Sequence, residues 1–288
     1  MSEKNFKIFG GLEAARLDDL LVKAGRVRAA VIGDLCLDVY WYADMTKSEL
    51  SRETPHFPLP VVGERMSPGA GGNVAANIAA LSVQSTLALG VVGRDWRGSS
   101  LIEQLSARGI DTGGIVVSSG RTTNAYCKPL RKGISSLEYE DPRIDFDNFT
   151  PLLRADEQEL IAALDAAAQG ADVLCVADQM RFGCITRAVR ERILSLAAQG
   201  LTVVVDSRDR IGLFGGCILK PNSVEGARAA GIACAPAESD IETQSGIALA
   251  LADASRSQVC MTLGAYGCVC AQRGEGIYVP AREVAPPI

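Results

Sequence analysis

Short apolar runs alternating with helix-forming stretches constrain this chain more than any other feature. Strands are expected over 28–32, 85–92, 173–176, 201–205, 217–220 and 258–262, and helices over 72–81, 99–108, 155–169, 186–198 and 242–252. Strands this short and this apolar need cover on both faces, so the order implies a mostly parallel sheet between helix layers. The expected class is α/β, in one unit running 1–288 without internal repeat or low-complexity linker. At 288 residues, 48% of them apolar, the chain has ample material for such a core.

Two stretches break the rhythm. Residues 39–62 carry aromatics, charges and several prolines, and 115–146 show β-like alternation without a helix. In the second, strands over 122–130 and 134–139 are joined by Arg131-Lys132-Gly133. Both read as strand excursions outside the main sheet, forming a lid or a dimerisation flap. A homodimer through the lid is expected, because Tyr40, Trp41, Tyr42 and Phe57 need cover.

Composition narrows the chemistry. A net charge of -5 argues against a general nucleic-acid partner. No apolar run approaches the ~20 residues of a bilayer span. Nine scattered cysteines without a C-x-x-C pair read as reduced thiols of a cytoplasmic protein. Cys268 and Cys270 should share one side of a strand, with no second ligand pair to make a metal site. His56, the only histidine, lies between Pro55 and Pro58, so serine-triad and His-zinc chemistry lack material. Acid–base work then falls to carboxylates, lysines or tyrosines.

The segment Ser67-Pro68-Gly69-Ala70-Gly71-Gly72-Asn73-Val74-Ala75-Ala76-Asn77 is a glycine-rich turn opening a helix. Free N–H groups at such a helix start favour polar or anionic ligands. Asn73 and Asn77, four residues apart, share one face and can point into one cleft. With Gly71 and Gly72 they suit a hydroxyl-rich molecule; a tight turn serving packing is the alternative. A dinucleotide fingerprint fails, because its third glycine falls on Val74.

Ligands of parallel sheets bind beyond the carboxyl ends of the strands. Asp34, Gly93, Asp178, Asp206, Asn222 and Thr262 each follow an expected strand at that edge, where any one could instead cap a helix or turn. Asp34 and Asp38 can accept hydrogen bonds from sugar hydroxyls. Asn222 and Glu225, one helical turn apart, offer hard oxygens for Mg²⁺ held through water beside a nucleotide phosphate. Thr262-Leu263-Gly264-Ala265-Tyr266-Gly267 is a glycine-spaced turn suited to close approach by a nucleotide. Arg52, Lys128 and Arg131 are lid cations placed to meet a substrate phosphate, or to remain solvated.

Together, Gly33-Asp34 with Asp38, Gly71-Gly72-Asn73 with Asn77, Asn222-x-x-Glu225 and Thr262-x-Gly264-x-x-Gly267 resemble the ribokinase-like, or phosphofructokinase B, carbohydrate kinases. The resemblance runs from about residue 29 onward. It implies a three-layer α/β/α ribokinase-like core with a small β-lid, and ATP-dependent phosphorylation of a sugar or sugar phosphate. By that resemblance Asp34, Asp38, Gly71, Gly72, Asn73 and Asn77 bind the sugar. Asn222, Thr262, Gly264 and Gly267 lie at ATP, and Glu225 organises Mg²⁺. The run Gly33–Tyr42 looks most like the heptose-7-phosphate kinase branch, from which Ala177-Asp178-Gln179 and Asp206-Ser207-Arg208 depart. The family's catalytic aspartate belongs to a Gly-Ala-Gly-Asp motif, which does not occur here. The chain is therefore expected to stop short of that motif, with its base beyond Ile288 and little activity as it stands. A non-catalytic sugar- or nucleotide-binding relative is the competing reading.

Overall fold

The computed structural model describes residues 6–135 and 137–282. Its strands are β1 (Phe6–Ile8), β2 (Arg28–Gly33), β3 (Leu35–Asp44), β4 (Val61–Ala70), β5 (Ser85–Gly93), β6 (Asp111–Ser118), β7 (Asn124–Lys132) and β8 (Glu138–Glu140). They continue with β9 (Ile144–Phe146), β10 (Val173–Asp178), β11 (Thr202–Ser207), β12 (Ile218–Leu219), β13 (Val259–Thr262), β14 (Cys268–Gln272) and β15 (Glu275–Val279). The α-helices are α1 (Ala14–Ala24), α2 (Gly71–Ala80), α3 (Trp96–Ser106), α4 (Arg154–Ala168), α5 (Arg187–Ala198), α6 (Ser223–Ala229) and α7 (Ile241–Ser255).

The main sheet has ten strands in the order β1-β15-β14-β13-β12-β11-β10-β2-β5-β6, parallel except for β13–β14 and β14–β15. Its central strands bury side chains on both faces. Ala30 and Ile32 of β2 join one core with α4 and α5, whereas Val31 joins a second core with α2 and α3. That split produces the unbroken apolar runs read from the sequence. Helix starts carry their own acceptors: Asp95 takes the N–H of Gly98, Thr186 that of Val189, and Asp240 that of Thr243. Helix α1 has no counterpart among the expected elements and buries none of its residues.

A second sheet, β4-β3-β7-β8 with β9 paired to β7, forms the β-lid. Its limits differ from expectation in several places, and the first excursion runs on to Ala70, the end of β4, rather than stopping at Val62. Strand β6 belongs to the edge of the main sheet, so the second excursion begins near Asn124 rather than Ile115. Arg131 and Lys132 lie within β7, paired to Tyr139 and Glu138, so the turn falls beyond them. The first excursion starts at Leu35, because β3 continues directly from β2. Among the described residues, no helix is long and apolar enough to cross a membrane.

Candidate active site

Asp34 is the single residue between the last residue of β2 and the first of the lid strand β3. Its N–H donates to the Ala177 carbonyl at 3.0 Å, and its own carbonyl accepts the Gly71 N–H at 2.8 Å. The first excursion thus leaves the main sheet for the lid and returns from it at one point. The Asp34 side chain was expected at a sugar. It is instead 2% exposed and accepts the N–H groups of Gln179, Met180 and Cys184 at 2.8, 2.7 and 2.7 Å. The segment after β10 folds over the strand end and takes both carboxylate oxygens. Burial raises the Asp34 pKa; the three N–H bonds oppose the rise and the charge of Asp178 adds to it.

Around the glycine turn the spacing argument holds. Asn73 and Asn77 lie on one exposed face of α2, with Nδ2 of Asn77 3.5 Å from Oδ1 of Asn73. Gly71 and Gly72 are buried, and a Cβ on Gly72 would sit 3.0 Å from the Pro68 Cβ, so close packing uses them. Ala70, between the glycines, takes φ +47°, a region that costs an L-residue energy. Asp38 lies on β3 and pairs with Lys128 at 3.8 Å. Lys128 also donates to the Tyr40 hydroxyl at 3.1 Å, and Arg131 pairs with Asp141 at 3.1 Å. Two of the three candidate lid cations therefore already have anionic partners, while Arg52 is exposed.

A cavity of about 290 Å³ opens between the lid and the segment after β10. Asn124 and Tyr126 of β7 line one side, with Asp147, Asn148 and Phe149 just past β9. Gln179, Met180, Arg181, Phe182 and Arg208 complete it. Asn148 is fixed by donating to the Thr122 carbonyl at 2.7 Å and to Oδ1 of Asn124 at 3.0 Å. The lining combines amides, a carboxylate, two guanidiniums and three aromatic rings, a set suited to a polyhydroxylated anion. Asp38, Asn73 and Asn77 are not among the lining residues. Sequence reading missed Asn124, Tyr126, Asp147 and Asn148. Their one usable signal was the position of Asn124 and Tyr126 on alternate residues of an expected lid strand. Gln179 and Arg208 had been noticed only as departures from a pattern.

At the other motif group, the structure brings Asn222 and Thr262 together through a parallel β-bridge, and the Thr262 N–H donates to the Pro221 carbonyl at 2.9 Å. Asn222 and Glu225 form a reciprocal capping box on α6: Oδ1 of Asn222 accepts the Glu225 N–H, and Oε2 of Glu225 accepts the Asn222 N–H, both at 2.8 Å. Burial raises the Glu225 pKa; the Asn222 N–H opposes this, and nearby Asp206 adds to the rise. Asp206 itself pairs with Lys220 at 2.9 Å. No three His, Cys, Asp or Glu side chains converge on a metal position among the described residues. Two neighbouring carboxylates and an amide do fit Mg²⁺, which keeps most of its waters. Gly264 takes φ +51° beside Glu238. Gly267, at φ +101°, has a packing reason of its own, since a Cβ there would lie 2.1 Å from the Val279 carbonyl oxygen.

Residues 28–286 match the profile described as pfkB family carbohydrate kinase. The chain belongs to that family. Among curated relatives, the Bifunctional protein HldE of Geobacter sulfurreducens is 30% identical over 285 residues, covering 95% of this chain and 54% of that protein. The protein of the same name from Caulobacter vibrioides is 32% identical over 280 residues, covering 94% and 53%. The chain spans about half the length of these relatives. Phosphofructokinase-2 from Escherichia coli in complex with fructose-6-phosphate superposes with a TM-score of 0.69 at 19% identity, over 90% of this chain and 81% of that one. A ribokinase from Cryptococcus neoformans in complex with ADP gives a TM-score of 0.58 at 19% identity, over 91% and 81%. The pfkB chain thus has the ribokinase-like fold: a three-layer α/β/α core with a β-lid.

Proposed function

We propose that the chain carries the sugar- and nucleotide-binding part of an ATP-dependent kinase acting on a hydroxyl of a sugar phosphate, with heptose 7-phosphate as first candidate. The observation that carries this reading is the cavity between lid and core, whose lining includes Asn124, Asp147 and Asn148 together with Arg181 and Arg208. The amides and the carboxylate suit hydroxyls, the aromatic rings suit a sugar ring, and the arginines suit a phosphate already on the sugar. Asp38, Gly71, Gly72, Asn73 and Asn77 remain proposed hydroxyl ligands at the lid roots. ATP is assigned to the edge formed by Asn222, Thr262, Gly264 and Gly267, with Asn222, Glu225 and Asp206 holding Mg²⁺ through its waters. The ion would neutralise charge on the transferring phosphoryl group. No catalytic base is assigned among the described residues. Asp178, the strand-end carboxylate nearest in kind, is already engaged by Arg210 and Ser207. Strand β4 is an edge of the lid sheet and exposes Val61 and Val62, which supports pairing of two lids in a homodimer.

Calorimetric titration tests the substrate class. A sugar phosphate should bind at least ~10-fold tighter than its parent sugar, and Arg208→Ala should remove most of that difference. Equal affinity for both, unaffected by Arg208→Ala, overturns the phosphate assignment.

A further inference from the structure

The segment from Asp178 to Cys184 supplies four of the cavity's lining residues, Gln179 to Phe182, yet has no regular secondary structure beyond its first residue. Its backbone is gripped by side chains from distant parts of the chain. Asp34 accepts three of its N–H groups at 2.7–2.8 Å. On the carbonyl side, Arg121 donates to Phe182 at 2.5 Å and Arg210 to Met180 at 3.0 Å. Arg210 in turn is held by Asp178, whose other partner is the Ser207 hydroxyl at 2.6 Å. Among the described residues Nη1 of Arg121 is buried without a hydrogen-bond partner, while Nη2 of the same guanidinium donates to the loop at Phe182. Gly183 fits over the carboxylate only because it lacks a side chain: a Cβ would lie 2.1 Å from Oδ1 of Asp34.

We infer that Asp34 and Arg121 are positioning residues: an anion and a cation that shape the 178–184 loop into the wall of the substrate cavity, with Asp34 acting through the loop amides rather than by touching the sugar. Charge-assisted bonds to backbone groups suit this task, because they fix a loop whatever its side chains are. Asp34 also ties the lid roots through Gly71, so loop shape and lid placement share one anchor. The inference rests on the proposed sugar site only for its binding consequence, not for the loop's shape.

Hydrogen exchange of the ligand-free, full 288-residue chain tests it. Asn at position 34 keeps one acceptor but turns an NH₂ toward a backbone donor. Asp34→Asn should therefore speed exchange of the Gln179, Met180 and Cys184 amides by ~10-fold or more, with the helix over Arg187–Ala198 unchanged. Arg121→Met should speed the same peptide. If Asp34→Asn fails to fold, Gly183→Ala carries the test, since it pushes the loop off an intact carboxylate and should produce the same local acceleration. Calorimetry with fructose 6-phosphate provides the second arm. Asp34→Asn, Arg121→Met and Gly183→Ala should weaken binding together, whereas Asp38→Asn should weaken it with loop exchange unchanged. Unaltered loop exchange in Asp34→Asn or Gly183→Ala overturns the inference. Faster loop exchange in a protein that binds no sugar phosphate leaves it standing and sinks only the substrate reading.

Discussion

Removing the Asp178 carboxylate should destabilise the fold by ~2–4 kcal/mol. Asp178 is 1% exposed and accepts the Ser207 hydroxyl at 2.6 Å and Nε of Arg210 at 2.9 Å, with a second bond from the same guanidinium. Burial lowers the Arg210 pKa, but the bond and charge of Asp178 more than offset it, so the net shift is upward. Asp178→Ala strands that cation and leaves the fully buried Ser207 hydroxyl without its acceptor. Breaking one side of a buried pair costs about 3–5 kcal/mol. The Arg210 side chain is 28% exposed, so water recovers part of the loss, which trims the figure to ~2–4 kcal/mol. Urea unfolding followed by circular dichroism measures it, with an unchanged slope showing that the compactness of the end states is unaltered. Asp178→Ala/Arg210→Met should lose less than the sum of the single variants, because the orphan cation is gone. A single-variant loss below ~1 kcal/mol, the scale of an exposed pair, refutes the reasoning.

Three further outcomes follow from the same structure. Arg28 binds Asp172 through its side chain and its N–H, holding that carboxyl at about 2 against an ordinary 3.8; the folded value is the lower one, so the stabilisation is present above 3.8 and lost as pH falls through 2. The gap in melting temperature between wild type and Asp172→Asn should therefore close over that range, and a gap persisting below pH 2 contradicts it. Ala70→Gly should gain ~1 kcal/mol in urea melts, because strain of ~1–3 kcal/mol is relieved against a glycine entropy cost of ~0.5–1; a loss of stability would show that the φ of +47° is not strained. Cys260 and Cys270 are directly opposed on β13 and β14 with sulfurs 3.3 Å apart, so glutathione disulfide should convert the two thiols to one disulfide while being reduced to two glutathiones. Titratable thiols should then fall by two, and Cys260→Ser should prevent it; an unchanged count rules out the pairing.

What could be read from the sequence, and what could not, divides along a physical line. Strands such as Arg28–Gly33 and Val173–Asp178 were legible because covering both faces of a parallel sheet removes polar alternation. That Asn222 and Thr262 share one edge was legible, since parallel strands present their carboxyl ends on the same side; that their strands are neighbours is what the structure adds. Asn222 and Glu225 illustrate a partial success: the one-turn spacing was seen, and the structure uses it for a capping box. The hold on the 178–184 loop was not legible. The Asp34 contacts join residues 145–150 positions apart, and their donors are backbone N–H groups that every residue except proline carries, so Gln179, Met180 and Cys184 bear no mark of their task. Only Gly183 is singled out by chemistry, and a lone glycine has many ordinary explanations. The motif at Asp34 says that an acceptor stands at the strand end; which donors reach it is decided by topology. Here the segment after β10 delivers three amides within 2.8 Å, which leaves the carboxylate to shape the cavity from behind its wall.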